Sequence, residues 1–274
     1  MSFYVSITAQ EFQHFRKFLE RTSGIALADN KQYLVTNRLR PLLKEMGLDR
    51  ASDLLAMIAA LPTSDLAAKV VDAMTTNETF WFRDSSHFHY LETKLIAMLS
   101  AKNRPLSVWS TACSSGQEPY SISLSIDKYI KASGKQVEVS ITATDLSDKI
   151  LSQAKQGIYA DIELSRGLPN ELQLEHFSGV RGGLQISPAH RARMSFKRLN
   201  LLDDFSGLGQ FDIVFCRNVL LYFTASTKLE ILKRIVDVMK PGAYLFLSSS
   251  EIIPPELEGF ETIRDATCKC YRKT

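Results

Sequence analysis

The stretch SVWSTACSSGQEPYSISLS, residues 107–125, limits what this chain can fold into more than any other. It opens as a short β-rich apolar run and crosses five small residues, Ala112, Cys113, Ser114, Ser115 and Gly116. It then continues with Tyr120, Leu124 and Ile126 at near-helical spacing. Strand, tight loop and helix in succession build open α/β sheets. The crevice beyond the carboxyl end of such a strand, where strand order reverses, is where nucleotide-like ligands bind. A dinucleotide would need G-x-G-x-x-G, so that a pyrophosphate can reach bare backbone at a helix N-terminus. Gly116 stands alone here. The loop therefore suits a phosphate-free nucleoside such as S-adenosylmethionine, with Glu118 placed to bind hydroxyl or amino groups.

Upstream the chain reads as helices only. Thr8 with Glu11 is a capping-box signature, and Phe12, Phe15 and Leu19 repeat at helical spacing until Gly24. A second helix is expected over 30–46, with Leu34, Val35, Leu39, Leu42 and Met46 on one side and Asn37, Arg40 and Lys44 on the other. Gly47 is its stop signal, and Pro41 is expected to kink it by removing a backbone hydrogen bond. Short amphipathic helices over 53–61 and 64–74 complete an all-helical domain of residues 1–75. Residues 76–106 form a linker and a helix. In the linker, three consecutive aromatics and an arginine, Phe80 to Arg83, follow small polar residues. Asp84 and Ser85 then cap the helix through Leu91, Leu95 and Leu99, and 102–105 is a polar break.

From residue 107 the rhythm alternates: strand 107–111, helix 117–132, strand 137–144, helix 147–156. This implies a mostly parallel sheet within a domain of residues 107–274. The rhythm breaks between about 172 and 199. There Gly179, Gly182 and Gly183 flank the runs LQLEHF, GLQIS and MSFKRL, expected as a small antiparallel insertion or an excursion from the sheet. FDIVFC (211–216) is an apolar strand of the buried parallel kind, followed by a helix near 225–239, a Pro241-Gly242 turn and a strand over 243–249. FETIR and CKCYRK read as a closing antiparallel pair.

Asp145 closes the second strand of the α/β unit, where an acid hydrogen-bonds ribose hydroxyls; capping the next helix is the plain alternative. For Glu118 the alternative is a first-turn acid favoured by the helix dipole. Arg217, Asn218 and Tyr222 follow the FDIVFC strand and so fall at the carboxyl edge, although a packed tyrosine would also account for Tyr222. The run Asn218-Val219-Leu220-Leu221-Tyr222 lacks the prolines common at this edge in enzymes that methylate bases or amides, which argues against N-methylation. Phe80, Trp81 and Phe82 read as core or interface packing before a stacking platform. Arg83 beside them is suited to gripping a carboxylate. His87 and His89 read as ordinary helix residues, and Cys268 and Cys270 as packed thiols on one strand face.

Composition narrows the class. Lys plus Arg exceed Asp plus Glu by only 33 to 30, too little to argue for nucleic acid or a membrane. The four cysteines show neither CxxC nor a Cys/His zinc spacing, so reduced thiols and no metal are expected. The start, MSFYVSITAQEF, carries no signal-peptide pattern, and no run approaches a bilayer span. A cytoplasmic monomer without membrane insertion is expected.

TNETFWFRD (76–84), ACSSGQEPYS (112–121), ATDLS (143–147), NLL (200–202), FDIVFCRNVLLYF (211–223) and KPGAYLFLSSSE (240–251) together resemble the chemotaxis receptor glutamate methyltransferases, the CheR family. The resemblance covers nearly the whole chain and keeps the family's motif order. It implies an α/β fold: a Rossmann-like S-adenosylmethionine-dependent methyltransferase domain with a small antiparallel β-subdomain at about 172–199, preceded by the helical domain. By match to the motifs, Asn77, Thr79, Arg83, Glu118, Asp145, Asn200, Leu201, Arg217 and Asn218 would contact S-adenosylmethionine, with S-adenosylhomocysteine as product. Arg83 and Tyr222 would lie nearest the reacting groups. Arg38, Arg40 and Lys44 match a basic helix that would meet the acidic cytoplasmic methylation helices of chemoreceptors. Two competing expectations are a cofactor-binding signalling protein that docks without turnover and a nucleotide-dependent oxidoreductase, the latter weakened by the missing glycines. The short stretch 178–183 points to independence from any receptor C-terminal peptide.

Overall fold

Thr8 starts the first helix as its sequence requires. Its hydroxyl accepts from Glu11 N at 3.2 Å, and the Glu11 carboxylate accepts from Thr8 N at 2.7 Å. The computed structural model describes residues 7–101, 104–265 and 268–274. Two units are present: Met1–Thr76 with Tyr222–Thr227, and Asn77–Leu221 with Lys228–Thr274.

The first unit contains α1 (Ala9–Ser23), α2 (Gln32–Met46), α3 (Ala51–Ala60) and α4 (Asp65–Met74). Phe12, Phe15 and Leu19 of α1, Val35, Leu39 and Leu43 of α2, Leu54 of α3 and Val70 of α4 are buried, so the apolar stripes form the core. Helix α2 continues through Pro41 to a left-handed Gly47. Arg40 and Lys44 are exposed on it. Arg38 is different. It donates to the carbonyls of Met74 and Thr75 and to the Thr76 hydroxyl, filling acceptors left open where α4 ends.

The second unit begins with one helical segment: α5 (Ser85–Tyr90), a π-helical turn over Leu91–Leu95, and α6 (Ile96–Ser100). The polar break expected at 102–105 falls partly on residues 102 and 103, outside the described residues. There follow β1 (Leu106–Ser110), α7 (Gln117–Ser133), β2 (Val139–Asp145), α8 (Asp148–Gln156), β3 (Ile158–Tyr159), α9 (Asp161–Leu164), α10 (Asn170–His176), β4 (Phe177–Val180), β5 (Gly183–Ile186), α11 (Pro188–Ala192), β6 (Met194–Arg198), β7 (Phe211–Phe215), α12 (Ala225–Asp237), β8 (Met239–Phe246), β9 (Phe260–Asp265) and β10 (Cys268–Lys273).

The main sheet has seven strands in the order β6-β2-β1-β7-β8-β10-β9. The first five are parallel, and β10 and β9 close it antiparallel. The chain moves outward on one side of β1 to β2 and β6, then returns to its other side with β7, which makes the β1/β7 junction the switch point. Every residue of β7 is buried. Phe215 stacks on Phe246 at 4.6 Å, and Val108, Ile141 and Ile213 share a core with Leu91, Leu95, Ile122 and Ile126. Cys268 and Cys270 are both buried on β10, and all four cysteines are free thiols.

Two expectations are corrected. MSFKRL does not belong to the antiparallel insertion: Met194–Arg198 pairs parallel with β2 as an edge strand of the main sheet. Its alternation fits any half-buried strand, and Met194 and Phe196 pack on main-unit cores. LQLEHF is mostly α10, so the small sheet is β3-β5-β4 and draws one strand from before residue 172. Its β4–β5 turn is only Arg181-Gly182, and a Cβ on Gly183 would lie 2.2 Å from the Tyr159 carbonyl oxygen. The Pro241-Gly242 turn, expected ahead of its strand, is a bulge inside β8. Phe211 pairs with Met239 and Ile213 already with Tyr244.

At the amino end of β7, Asp212 is 2% exposed and binds Arg104, Lys240 at 2.8 Å and Ser107 N at 3.0 Å. Burial alone would raise its carboxyl, but those three donors outweigh it and hold the group below the usual aspartate range. The stabilisation is therefore present above the unfolded-state value and lost as pH falls through the lower folded value. Asp212→Ala is expected to lower unfolding free energy by about 3 kcal/mol, because Lys240 and Ser107 N lose their acceptor. Urea denaturation at pH 7 and pH 3 measures both the loss and its shrinkage in acid.

Candidate active site

Four non-glycine residues have positive φ among the described residues: Phe82, Asp84, Ser114 and Asn218. None is the kind of position that sheet or helix packing alone demands, and left-handed non-glycine backbone persists only where the surroundings over-determine it. All four lie in segments that meet at the carboxyl edge of β1, β2 and β7.

Arg217, the second residue after β7, joins these segments. Its side chain is 1% exposed. One nitrogen donates to Glu118 at 2.8 Å, and the other donates to Asp84 at 2.8 Å and to the Arg83 carbonyl. Asp84 occupies the position before α5 but makes no capping bond there, its carboxylate being turned to Arg217. Glu118 is in the first turn of α7 and also accepts from Ser110 Oγ at 2.7 Å. Burial pushes Glu118 upward from the ordinary glutamate range, while Arg217 and Ser110 oppose that shift. Helix α7 can start so close to the neighbouring chain because Gly116 has φ 96°. A Cβ there would come within 3.0 Å of Ala154 Cβ and the Tyr159 hydroxyl.

Asp145, the last residue of β2, accepts from Ser114 N at 2.9 Å and Ser147 N at 3.1 Å. Ser147, not Asp145, caps α8. Ser114 Oγ donates to the Asn77 carbonyl at 2.9 Å, tying the 77–80 segment to the β1–α7 loop. Thr79 is half-buried in that segment. Asn200 and the buried Leu201 follow β6. The Asn200 side chain accepts from Leu202 N at 3.1 Å, and Leu199 N donates to the Asp145 carbonyl at 2.9 Å. Trp81 is core: its ring meets Tyr159 and Phe177 edge-on at 4.9 and 5.5 Å. Arg83 donates to the Glu78 carbonyl at 3.2 Å and lies over Phe80 at 5.4 Å.

The second unit thus brings Asn77, Arg83, Glu118, Asp145, Asn200, Leu201, Arg217 and Asn218 to one sheet edge, on its loops, the end of β2 and the first turn of α7. Tyr222 falls in the helical unit, where its carbonyl accepts from Ala26 N at 2.8 Å, as do Arg38, Arg40 and Lys44 on α2. Glu251 closes the KPGAYLFLSSSE run, but motif reading gives it no role. Buried beyond β8, it accepts from Asn218 N at 2.9 Å, Leu221 N at 3.3 Å and Ser248 N at 3.0 Å, and so shapes the turn after β7. A lone acid in a loop 30-odd residues away gives no spacing signal, although its place at the end of a parallel strand does.

Carboxylates at the end of β2 and in the first turn of α7, with amide and carbonyl groups between them, fit a ribose diol and a cationic amino-acid tail. They do not suit a phosphate. Fold and donor set together define a nucleoside-dependent methyltransferase domain. Residues 77–269 match the family model described as CheR methyltransferase, SAM binding domain, and residues 10–75 match CheR methyltransferase, all-alpha domain. The chain is 46% identical over 273 residues to chemotaxis protein methyltransferase 1 of Pseudomonas aeruginosa, covering 98% of this chain and 99% of that one. Chemotaxis protein methyltransferase Cher2 of Pseudomonas putida is also 46% identical, over 89% and 90% of the two chains. Chemotaxis protein methyltransferase 1 of Vibrio cholerae is 42% identical over 95% of each. The chain belongs to the CheR family of chemotaxis methyltransferases, and S-adenosylmethionine is its cofactor.

Two outcomes are expected. Glu251→Ala leaves the Asn218 and Ser248 amides without their acceptor, and should cost about 2 kcal/mol of stability and weaken cofactor binding measured by calorimetry. His87, buried on α5, is the other case: burial first and the Arg217 charge second lower its pKa from 6.5 to about 4. The folded chain therefore resists a proton that the unfolded chain accepts, so this contribution is full above about pH 6.5 and is lost as pH falls through about 4. Unfolding curves across this window should be flatter with pH in His87→Gln than in the parent.

Proposed function

We propose that this chain transfers the methyl group of S-adenosylmethionine to glutamate side-chain carboxylates on the cytoplasmic helices of chemoreceptors, forming glutamyl methyl esters, and that it does so in the cytoplasm. The observation that carries the reading is the backbone around Arg83. Left-handed Phe82 and Asp84 flank it, Arg217 holds its carbonyl, and Phe82 N donates to Ser121 Oγ at 3.1 Å. A guanidinium fixed at its root and resting on Phe80 keeps a fork of donors for a carboxylate.

Bound S-adenosylmethionine supplies an electrophilic methyl group on a sulfonium. A glutamate carboxylate, with a pKa near 4.3, is ionised at neutral pH and needs no general base. The work left to the protein is alignment and exclusion of water, which can account for several kcal/mol of the barrier. Glu118 and Asp145 would hold the cofactor's polar groups, with Asn77, Thr79, Asn200, Leu201, Arg217 and Asn218 around it. Arg83 would hold the incoming carboxylate and Tyr222 would orient the methyl group. On α2, the exposed Arg40 and Lys44 would meet the acidic receptor surface. Arg38, engaged with the end of α4, would support that helix from behind. The two-residue turn between β4 and β5 supports docking that does not depend on a receptor C-terminal peptide.

Incubation with methyl-labelled S-adenosylmethionine and a receptor cytoplasmic fragment, then base treatment, should release volatile methanol. Cofactor binding without a labelled acceptor would overturn the reading in favour of a docking protein. Arg83→Ala should reduce transfer at saturating cofactor about a hundredfold. Arg40→Glu with Lys44→Glu should raise KM for receptor in a salt-dependent way and leave cofactor affinity unchanged.

A further inference from the structure

Away from the sheet edge, three ionisable side chains from separate helices converge. His190 of α11 is 1% exposed, His176 ends α10, and Asp127 is on α7. His190 Nε2 is 3.0 Å from His176 Nδ1 and 3.5 Å from Asp127 Oδ2, and the three atoms lie within 4.8 Å of one another. The two rings meet at 72°, so their nitrogens converge on a point rather than stack.

We propose that Asp127 Oδ2, His176 Nδ1 and His190 Nε2 form a binding site for one Zn²⁺-type divalent ion, which ties α7 to the helices on either side of the β4–β5 hairpin.

The separations suit the ion. Zinc bonds of 2.0–2.1 Å in a tetrahedron set ligand atoms about 3.3 Å apart, close to the two distances above. Two of the ligands are also aimed by a second group, as metal ligands are. Ser123 Oγ lies 2.7 Å from His190 Nδ1, so that nitrogen can carry its proton and leave Nε2 for the metal. The Arg193 guanidinium holds Asp127 Oδ1 at 2.6 Å and leaves Oδ2 facing the histidines. In the metal-free chain one of the two facing nitrogens carries the hydrogen of their 3.0 Å contact, and with the His190 proton on Nδ1 that hydrogen sits on His176 Nδ1. Both rings would bind the ion neutral once His176 moves its proton to Nε2, a change of tautomer without net loss of a proton. Asp127, His176 and Arg193 line a cavity of about 680 Å³, from which water can fill the fourth position. Two nitrogens and one carboxylate oxygen favour zinc or cobalt over magnesium or calcium. The ligands stand 49 and 14 residues apart, so no short Cys/His spacing announces them.

The test uses the full-length, untagged chain after dialysis against chelator. Titration with Co²⁺ should give one equivalent of uptake with the visible absorption of a tetrahedral N/O site, and Zn²⁺ should displace it and raise Tm. In His176→Ala, whose side chain is at the cavity wall, the absorption and the Tm shift should both vanish while the circular dichroism of the metal-free protein is kept. Asp127→Asn should weaken uptake at least about tenfold. No stoichiometric uptake by the parent chain, or equal uptake by His176→Ala, would overturn the proposal and leave the cluster as a hydrogen-bonded packing contact.

Discussion

A guanidinium taken out of water loses several kcal/mol of hydration, and it is retained only where every partner stays in place. Arg217 imposes that condition on the switch point. Its partners come from the start of α7 and from the Arg83-Asp84 turn before α5, two segments far apart in sequence from each other and from Arg217. Moving either would strand a buried charge, so both are fixed with Arg217 as a set. Glu251 does the same from the other side, gathering the backbone donors of Asn218, Leu221 and Ser248. Between them, a buried cation and a buried anion define the loops in which the cofactor-family residues lie.

This arrangement suits the proposed carboxylate transfer, in which no proton has to move. Rigid loops and left-handed backbone at Phe82, Asp84, Ser114 and Asn218 cost stability, on the order of 1–3 kcal/mol each for the most strained. They are tolerable where position matters more than acid–base tuning. The unusual carboxyl here is Glu118, and its surroundings pull in opposite directions: burial raises it, and Arg217 and Ser110 draw it back. A cationic ligand group beside it would add to the second side.

Much of this was legible in the sequence because it depends on local rules. The strand, small-residue loop and helix at 107–125 announced the switch point. Thr8 with Glu11 announced the first cap, and the change from helical to alternating rhythm announced the second unit. What escaped depended on pairing across long separations. MSFKRL alternates like any half-buried strand, and nothing local says that β2 is its neighbour. Pro241-Gly242 reads as a turn, yet β7 holds both flanks in register and makes it a bulge. Asp84 has the chemistry of a cap and is diverted by an arginine 133 residues away. The Asp127, His176 and His190 cluster carries no motif, and the run that Glu251 closes says nothing of Asn218, since only the folded chain brings their partners near.

The main sheet ends in β6 on one side and β9 on the other. An open edge is a template for another strand, and extended edges are where chains polymerise. Here β6 finishes in Lys197 and Arg198, and β9 carries Glu261, Arg264 and Asp265 with Glu261 and Arg264 exposed. A second copy adding to either edge would have to strip water from those charged side chains. Both margins of the sheet are thus discouraged from adding a further strand, and the chain can crowd without its edges acting as templates.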